Sequence, residues 1–275
     1  MKLSVITINY NNRDGLRKTI ESVVNQTYKD FEYIVIDGGS NDGSVDVIKE
    51  YADRIDYWVS EPDKGIYNAM NKGIDVANGE YCIFMNSGDG FYNQDVVAEI
   101  FKIELVEDVL CGDMYLSIGC IKEAPKVLTF KYFYEEGLGH QACLIKTVLL
   151  KQYLYNENLK IVSDWEFFLK VLILKNATYR RIDIIIADFD FNGISQTNFE
   201  LHKQERWSVL KSMFPQRVLD DYMMNSTYDF RRLFYWIEKT NFHRPIYIMN
   251  VLIIKLVSFF TGAKWIKEFG IKERK

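Results

Sequence analysis

Glu32-Tyr33-Ile34-Val35-Ile36-Asp37 and Glu80-Tyr81-Cys82-Ile83-Phe84-Met85-Asn86-Ser87-Gly88-Asp89 decide the reading of this chain. Each is an apolar run of strand length, too continuous for a strand with one solvated face, and each runs into an aspartate. Strands buried on both faces belong to parallel sheets. Asp37 and Asp89 therefore share one carboxyl edge, where open α/β sheets bind ligands. One acid is placed to read a base or ribose there, the other to hold a metal.

Outward from these runs, strand-length and helix-period segments alternate. Residues 2–9 read as strand, 13–26 as helix with Leu16, Ile20, Val23 and Val24 on one face, 31–36 as strand and 44–52 as helix. A strand at 56–59, a helix at 66–77, a strand at 80–85 and a helix at 94–103 continue the order. The pattern predicts an α/β fold, a mostly parallel nucleotide-binding sheet flanked by helices. Past residue 105 it loosens, with strands expected at 108–118, 141–146 and 179–187 and a helix at 164–175. From residue 199 the periodicity is helical, through Trp207, Leu210 and Met213 and then Phe230, Leu233, Phe234, Trp236 and Ile237. A domain over 1–195 and a C-terminal helical extension over 196–275 follow from this.

With 48% hydrophobic and 26% charged residues the chain is not disordered, and a net charge of −4 argues against a nucleic-acid partner. Cys82, Cys111, Cys120 and Cys143 form no Cys-x-x-Cys pair and read as free thiols of a cytoplasmic protein. The amino-terminal run Met1–Tyr10 is too short for a signal h-region, has no small-residue cleavage site, and is expected as the first strand.

The loops carry the chemistry. Asp37-Gly38-Gly39-Ser40-Asn41-Asp42-Gly43-Ser44 mixes turn formers with helix-capping residues, and its glycines let backbone approach a ligand. A plain capped turn explains either this loop or Asn86-Ser87-Gly88-Asp89 taken alone; their shared edge is what favours a site.

Thr7-Ile8-Asn9-Tyr10, Gln26-Thr27-Tyr28, Asp37 through Ser44, Glu61-Pro62-Asp63-Lys64-Gly65 through Asn71-Lys72-Gly73, and Asn86 through Asp89 occur in an order that resembles the family 2 inverting glycosyltransferases of the type A nucleotide-sugar (GT-A) fold, nearest to the bacterial exopolysaccharide and colanic-acid kind. The resemblance spans about residues 1–190 and is most specific over the first 90; later it rests on Ser163-Asp164-Trp165-Glu166. It implies a nucleotide-sugar half over 1–104 and an acceptor half over 105–195. Thr7 and Tyr10 would line the base pocket, Asp37 accept the base imino hydrogen bond, Asp63 lie near the nucleoside, and Asp89 ligate a Mn²⁺ or Mg²⁺ ion on the diphosphate. Oxygen ligands suit those ions, whose shells are commonly completed by phosphate and water. The family motif usually reads Asp-x-Asp-Asp, whereas Asn86 and Gly88 leave only Asp89 here. An Arg often found before the third-motif Asn is Met70, which shifts phosphate contact to Lys64 or to backbone amides.

Ser163 and Glu166 have the spacing of a capping box, which leaves Asp164 less explained, since an acid in the first turn gains only about 0.3–1 kcal/mol from the helix dipole. The resemblance makes Asp164 the base that takes the acceptor proton, with Glu166 the runner-up, and puts His140 near the acceptor or diphosphate; a structural histidine is the alternative reading. Residues 246–261 are too short and interrupted for a membrane span. Residues 255–275 carry six basic and two acidic groups among Phe259, Phe260, Trp265 and Phe269. That pattern fits an interfacial helix on an anionic membrane, or a helix packed on the domain or at a homodimer contact. The implied activity is transfer of a sugar, hexosyl or N-acetylhexosaminyl, from a nucleotide donor, expected to be uridine-based, to a growing surface glycan or lipid-linked glycan, in the cytoplasm and peripherally at the inner membrane face. A sugar nucleotidyltransferase, which would need a basic Gly-rich loop where Asn9–Asn12 stands, and an inactive member of the fold are the alternatives.

Overall fold

The computed structural model describes residues 2–190 and 198–227. The chain divides into a unit ending at Phe214 and a second unit from Pro215, of which the helix Gln216–Thr227 is described.

The first half of the sheet forms as expected. β1 (Leu3–Asn9), β2 (Glu32–Asp37), β3 (Tyr57–Ser60) and β4 (Tyr81–Phe84) run parallel in the order β3-β2-β1-β4. The first, second and fourth are buried along their whole length. Helix α1 (Arg13–Val24) covers one face, burying Leu16, Ile20 and Val23 with Leu3, Val5, Tyr33 and Val35, while α2 (Ser44–Glu50) adds Val47 and Ile48 to the same core. Helix α3 (Ile66–Val76) lies on the other face, so close that a Cβ at Gly73 would stand 2.6 Å from Ile6 Cγ2. The register places Asn9 beside Asp37 and Asp37 beside Ser60, a row of polar groups along the carboxyl edge.

Beyond β4 the sheet is mixed. β8 (Cys143–Lys146) runs antiparallel to β4, β6 (Val109–Leu116) antiparallel to β8, β9 (Tyr179–Phe189) parallel to β6, and the short β5 (Gly90–Phe91) antiparallel to β9; β7 (Cys120–Lys122) hairpins onto β6. This register corrects one expectation. Cys111 and Cys143 face each other across β6 and β8, Cα atoms 4.2 Å apart, and form a disulfide, while Cys82 and Cys120 are free. Cysteine spacing along the chain does not encode that pairing.

Short helices α4 (Val96–Ile100), α5 (Phe130–Glu135) and α6 (Thr147–Tyr153) precede α7 (Ser163–Phe168), which continues as a π-helical turn over Leu169–Leu174. Helix α8 (Phe199–Met213) belongs to the first unit. Its Glu205 carboxylate accepts from the backbone N–H groups of Lys160 and Ile161, and the Arg206 guanidinium lies 4.5 Å from the Trp165 ring centre. No described helix is long and apolar enough to cross a membrane. The segment 246–261 and the basic stretch 255–275 lie outside the described residues.

Candidate active site

Asp37 is fully buried at the end of β2, and its two oxygens accept five protein hydrogen bonds. Asn9 Nδ2 and Ser40 Oγ donate to Oδ1; the N–H groups of Gly39 and Ser40 and the Ser60 hydroxyl donate to Oδ2. Burial alone would push its pKa up, but these bonds hold it below the usual carboxylate value. These donors shape the 38–44 turn, so Asp37, expected to accept the base imino hydrogen bond, could do so only in exchange for one of them. Thr7 was expected to line the base pocket. It is buried inside the sheet, 3.1 Å from the Tyr33 hydroxyl, and does not reach the crevice.

The groups that do face outward are Tyr10 and Asp63. Tyr10 is 65% exposed. A Cβ at Gly38 would collide with Asp63 Oδ2 at 2.4 Å and press on the Tyr10 ring at 3.2 Å, so the missing side chain at 38 is what admits Asp63 to this place. Asp63 Oδ1 accepts from Gly65 N at 2.8 Å, which leaves Oδ2 turned toward Gly38 and Tyr10. Lys64 is exposed beside it, at the start of α3.

The second loop is tied to the first through Asn9, whose side-chain oxygen accepts from Ser87 Oγ at 2.8 Å. Asp89 is 5% exposed; Oδ1 accepts from Asp190 N and Oδ2 from Gln141 Nε2. Burial pushes its carboxyl up to about 6, against the pull of those hydrogen bonds, and the Asp190 charge adds to the rise. Asp190 also brings a second carboxylate to this loop, one oxygen 3.3 Å from where a Gly88 Cβ would sit. A buried carboxylate with too little compensating charge is a fit partner for a hard divalent cation. Among the described residues no group of three or more His, Cys, Asp or Glu gathers to hold such an ion unaided. The donor set suits an ion that arrives with phosphate oxygens.

Asp164 stands in the first turn of α7, with its side chain 19% exposed. Tyr67 Oη donates to Oδ1 at 3.1 Å, and His140 Nδ1 lies 2.8 Å from Oδ2. Burial would raise its pKa, but the His140 hydrogen bond, the Trp165 backbone N–H and the Tyr67 hydroxyl together hold it below the usual value. The other ring nitrogen, His140 Nε2, lies 3.0 Å from Asn86 Nδ2. His140 therefore stands between Asn86 and Asp164 with a partner for each ring nitrogen, and the direction of each hydrogen bond follows from the ring tautomer. Helix α3 anchors the approach to α7. Asn71 exchanges hydrogen bonds with the Tyr155 backbone in both directions, and Asn68 and Asn71 both hold Glu157.

The expected capping box does not form. Val162 is the N-cap without a side-chain bond, Ser163 Oγ accepts from Asn156 N at 2.5 Å, and Glu166 is half-buried with its pKa raised chiefly by burial. The turn His140–Ala142 brings the site together: His140 reaches Asp164 and Asn86, and the next residue, Gln141, reaches Asp89. Asn86, Gln141, Tyr67 and Asp190 were absent from the sequence-based candidates. Only Asn86 carried a signal, as the residue standing where the motif has an acid.

The parallel half of the sheet thus ends in two acid-bearing loops, and a third acid, Asp164, is joined to the second of them through His140 and Asn86. Residues 4–149 match the family model for glycosyl transferase family 2, and the chain belongs to that family. It is similar to an uncharacterised glycosyltransferase of Mycobacterium tuberculosis, 34% identical over 202 residues that cover 70% of this chain and 76% of the relative. Among solved structures it resembles Staphylococcus aureus TarS 1–349 in complex with UDP-GlcNAc, with a TM-score of 0.59, 23% identity, and coverage of 72% of this chain and 61% of that one. It also resembles the mannosyltransferase PcManGT of Pyrobaculum calidifontis in complex with GDP-Man and Mn²⁺, with a TM-score of 0.56, 15% identity, and coverage of 72% and 59%. The fold is GT-A-like, a mixed sheet flanked by helices, and the protein is a glycosyltransferase.

Proposed function

We propose that the protein is an inverting glycosyltransferase that moves a sugar, hexosyl or N-acetylhexosaminyl, from a uridine diphosphate donor to a surface glycan or lipid-linked glycan, with Asp164 as the catalytic base. One observation carries this reading. Consecutive residues of one turn bind the two working carboxylates, His140 to Asp164 and Gln141 to Asp89, so base and diphosphate site are built as a unit.

The base of the nucleotide would lie against Tyr10, with its imino N–H donating to Asp63 Oδ2, the oxygen turned into the space above Gly38. Asp37 holds the loop beneath, and Lys64 supplies positive charge near the phosphates. Asp89, with Asp190 beside it, would hold a Mn²⁺ or Mg²⁺ ion brought in on the diphosphate. When bound, that ion offsets charge on the departing diphosphate.

Asp164 accepts the proton of the acceptor hydroxyl as its oxygen attacks the anomeric carbon from the side opposite the leaving group. The new carbon–oxygen bond forms as the anomeric carbon–phosphate oxygen bond breaks, and that electron pair leaves with the nucleoside diphosphate. His140 and Tyr67 keep the carboxylate ionised and aimed. The likeness of fold to a UDP-GlcNAc complex and a GDP-Man complex supports a nucleotide-sugar donor, and Asp63 beside Tyr10 suits a base with an imino N–H, such as uracil. The test is a panel of UDP- and GDP-sugars assayed for metal-dependent nucleoside diphosphate release, followed by NMR of the glycosidic product. Turnover of a UDP-sugar with an inverted anomeric configuration is expected; retention of configuration would overturn the mechanism, and turnover confined to GDP-sugars would overturn the donor.

A further inference from the structure

Asn86 stands at the first position of a motif that usually carries an acid, yet its side chain is committed to His140 and not to Asp89. Its amide nitrogen lies 3.0 Å from His140 Nε2, and its Oδ1 is buried with no hydrogen-bond partner. A buried acceptor left unpaired is unfavourable by roughly 1–3 kcal/mol. Turning the amide over does not remove that penalty, because it exchanges an orphaned oxygen for an orphaned N–H. It would also demand a proton on Nε2 while Nδ1 still donates to Asp164, and so a doubly protonated ring. The orientation of the amide therefore bears on the protonation state of the histidine.

We propose that Asn86 is a positioning residue for the base: by donating to Nε2 it fixes His140 as the neutral Nδ1–H tautomer, which makes the imidazole an obligatory donor to Asp164 and bars it from taking the acceptor proton. This rests on the reading of Asp164 as the base. The line Asn86–His140–Asp164–Tyr67 runs from the loop after β4, through the 140–142 turn and α7, to α3, so one side-chain chain spans four elements. Phe84 and Tyr155 wall the line, with Phe84 6.3 Å from the imidazole in an edge-on arrangement and 5.7 Å from Tyr155. Such packing limits ring rotation and leaves the amide to choose the tautomer. With Nε2 blocked by an N–H and Nδ1 already protonated, Asp164 keeps the proton it takes. The Asn86 side chain is thus given to orienting the base, and Asp89 is left to Gln141 and Asp190.

An acid at this position is the informative change. In Asn86→Asp the new carboxylate accepts from Nε2–H, drawing a second proton onto the ring and placing an imidazolium against Asp164, which weakens it as a base. Restoring the acid of the motif is therefore expected to lower kcat. The experiment measures UDP release from UDP-N-acetylglucosamine with Mn²⁺ for the wild type, Asn86→Asp, Asn86→Ala and Asp164→Asn, together with ¹⁵N NMR of the His140 ring. Expected are a protonated Nδ1 and bare Nε2 in the wild type, a protonated Nε2 in Asn86→Asp, and kcat lower by about ten- to a hundredfold in both Asn86 variants with little change in KM for donor or metal. A wild-type ring protonated on Nε2 overturns the tautomer assignment whether or not any variant folds. Unchanged kcat in both Asn86 variants, or a tighter Mn²⁺ requirement in Asn86→Asp, overturns the positioning role while Asp164→Asn remains inactive. Full turnover by Asp164→Asn defeats the base assignment itself.

Discussion

Asp37 and Asp63 separate two jobs that look alike on paper. Asp37 has five internal donors and no exposure, so Asp37→Ala is expected to destabilise the fold by about 2–4 kcal/mol as buried donors lose their acceptor. Asp63→Ala removes one turn bond and the oxygen beside Gly38. It should weaken UDP binding by about 1–3 kcal/mol with little change in unfolding midpoint, measured by calorimetric titration and thermal melts. Asp89 makes a prediction of opposite sign to most carboxylates. Its pKa is raised to about 6, so between the ordinary carboxylate range and about pH 6 the folded state binds more protons than the unfolded, and stability falls as pH rises through that window. Asp89→Asn should thus raise the melting temperature of the ligand-free protein at pH 7 while abolishing Mn²⁺-dependent UDP binding. In the wild type that binding should weaken as pH drops below about 6. The strand-end positions of Asp37 and Asp89 were legible because apolar runs announce the strands. Which acid has its lone pairs consumed by neighbours was not, since Ser40, Ser60 and Asn9 come together only in the folded register.

At the scale of elements, the paired strands and helices of the first hundred residues appear within a few residues of where periodicity puts them. The second half was harder to read for a physical reason. Its strands pair in the order β8-β6-β9, out of chain sequence and in both directions, and α5 and α6 are too short for a periodic signature. The capping-box spacing at Ser163 was misleading because Asn156 claims the serine hydroxyl from outside the helix. Glu32 illustrates a carboxylate whose work is purely architectural. Its Oε2 accepts from Ser4 Oγ and Asn78 N and its Oε1 from Asn78 Nδ2, tying β1, β2 and the turn before β4. Burial raises its pKa, but these bonds win and the net shift is downward. A depressed acid contributes stability above its unfolded pKa, near 4.3, and loses it as pH falls through the folded value. Glu32→Gln should therefore melt lower than wild type at pH 7, and the gap should narrow as the pH is taken from about 5 to 3.

For the whole molecule, the family and the fold follow from the first 150 residues, while partners depend on segments with weaker signals. The sequence of residues 255–275 has a charge of +4, from six basic and two acidic groups, on a chain of net charge −4. If that segment carries the protein to its acceptor, the full-length chain should co-sediment with vesicles containing phosphatidylserine, lose that binding at high salt, and ignore neutral vesicles. Salt-insensitive or absent sedimentation would remove the membrane from the account.

The central claim is that Asp164 takes the acceptor proton, and it is tested most directly by comparing the turnover of Asp164→Asn and Glu166→Gln in one assay, with UDP affinity measured in parallel. Asp164→Asn preserves size and helix-start geometry but removes the base, so turnover is expected to fall by about a hundredfold or more with UDP affinity unchanged, while Glu166→Gln stays near wild type. A greater loss in Glu166→Gln than in Asp164→Asn would contradict the account and move the base to Glu166.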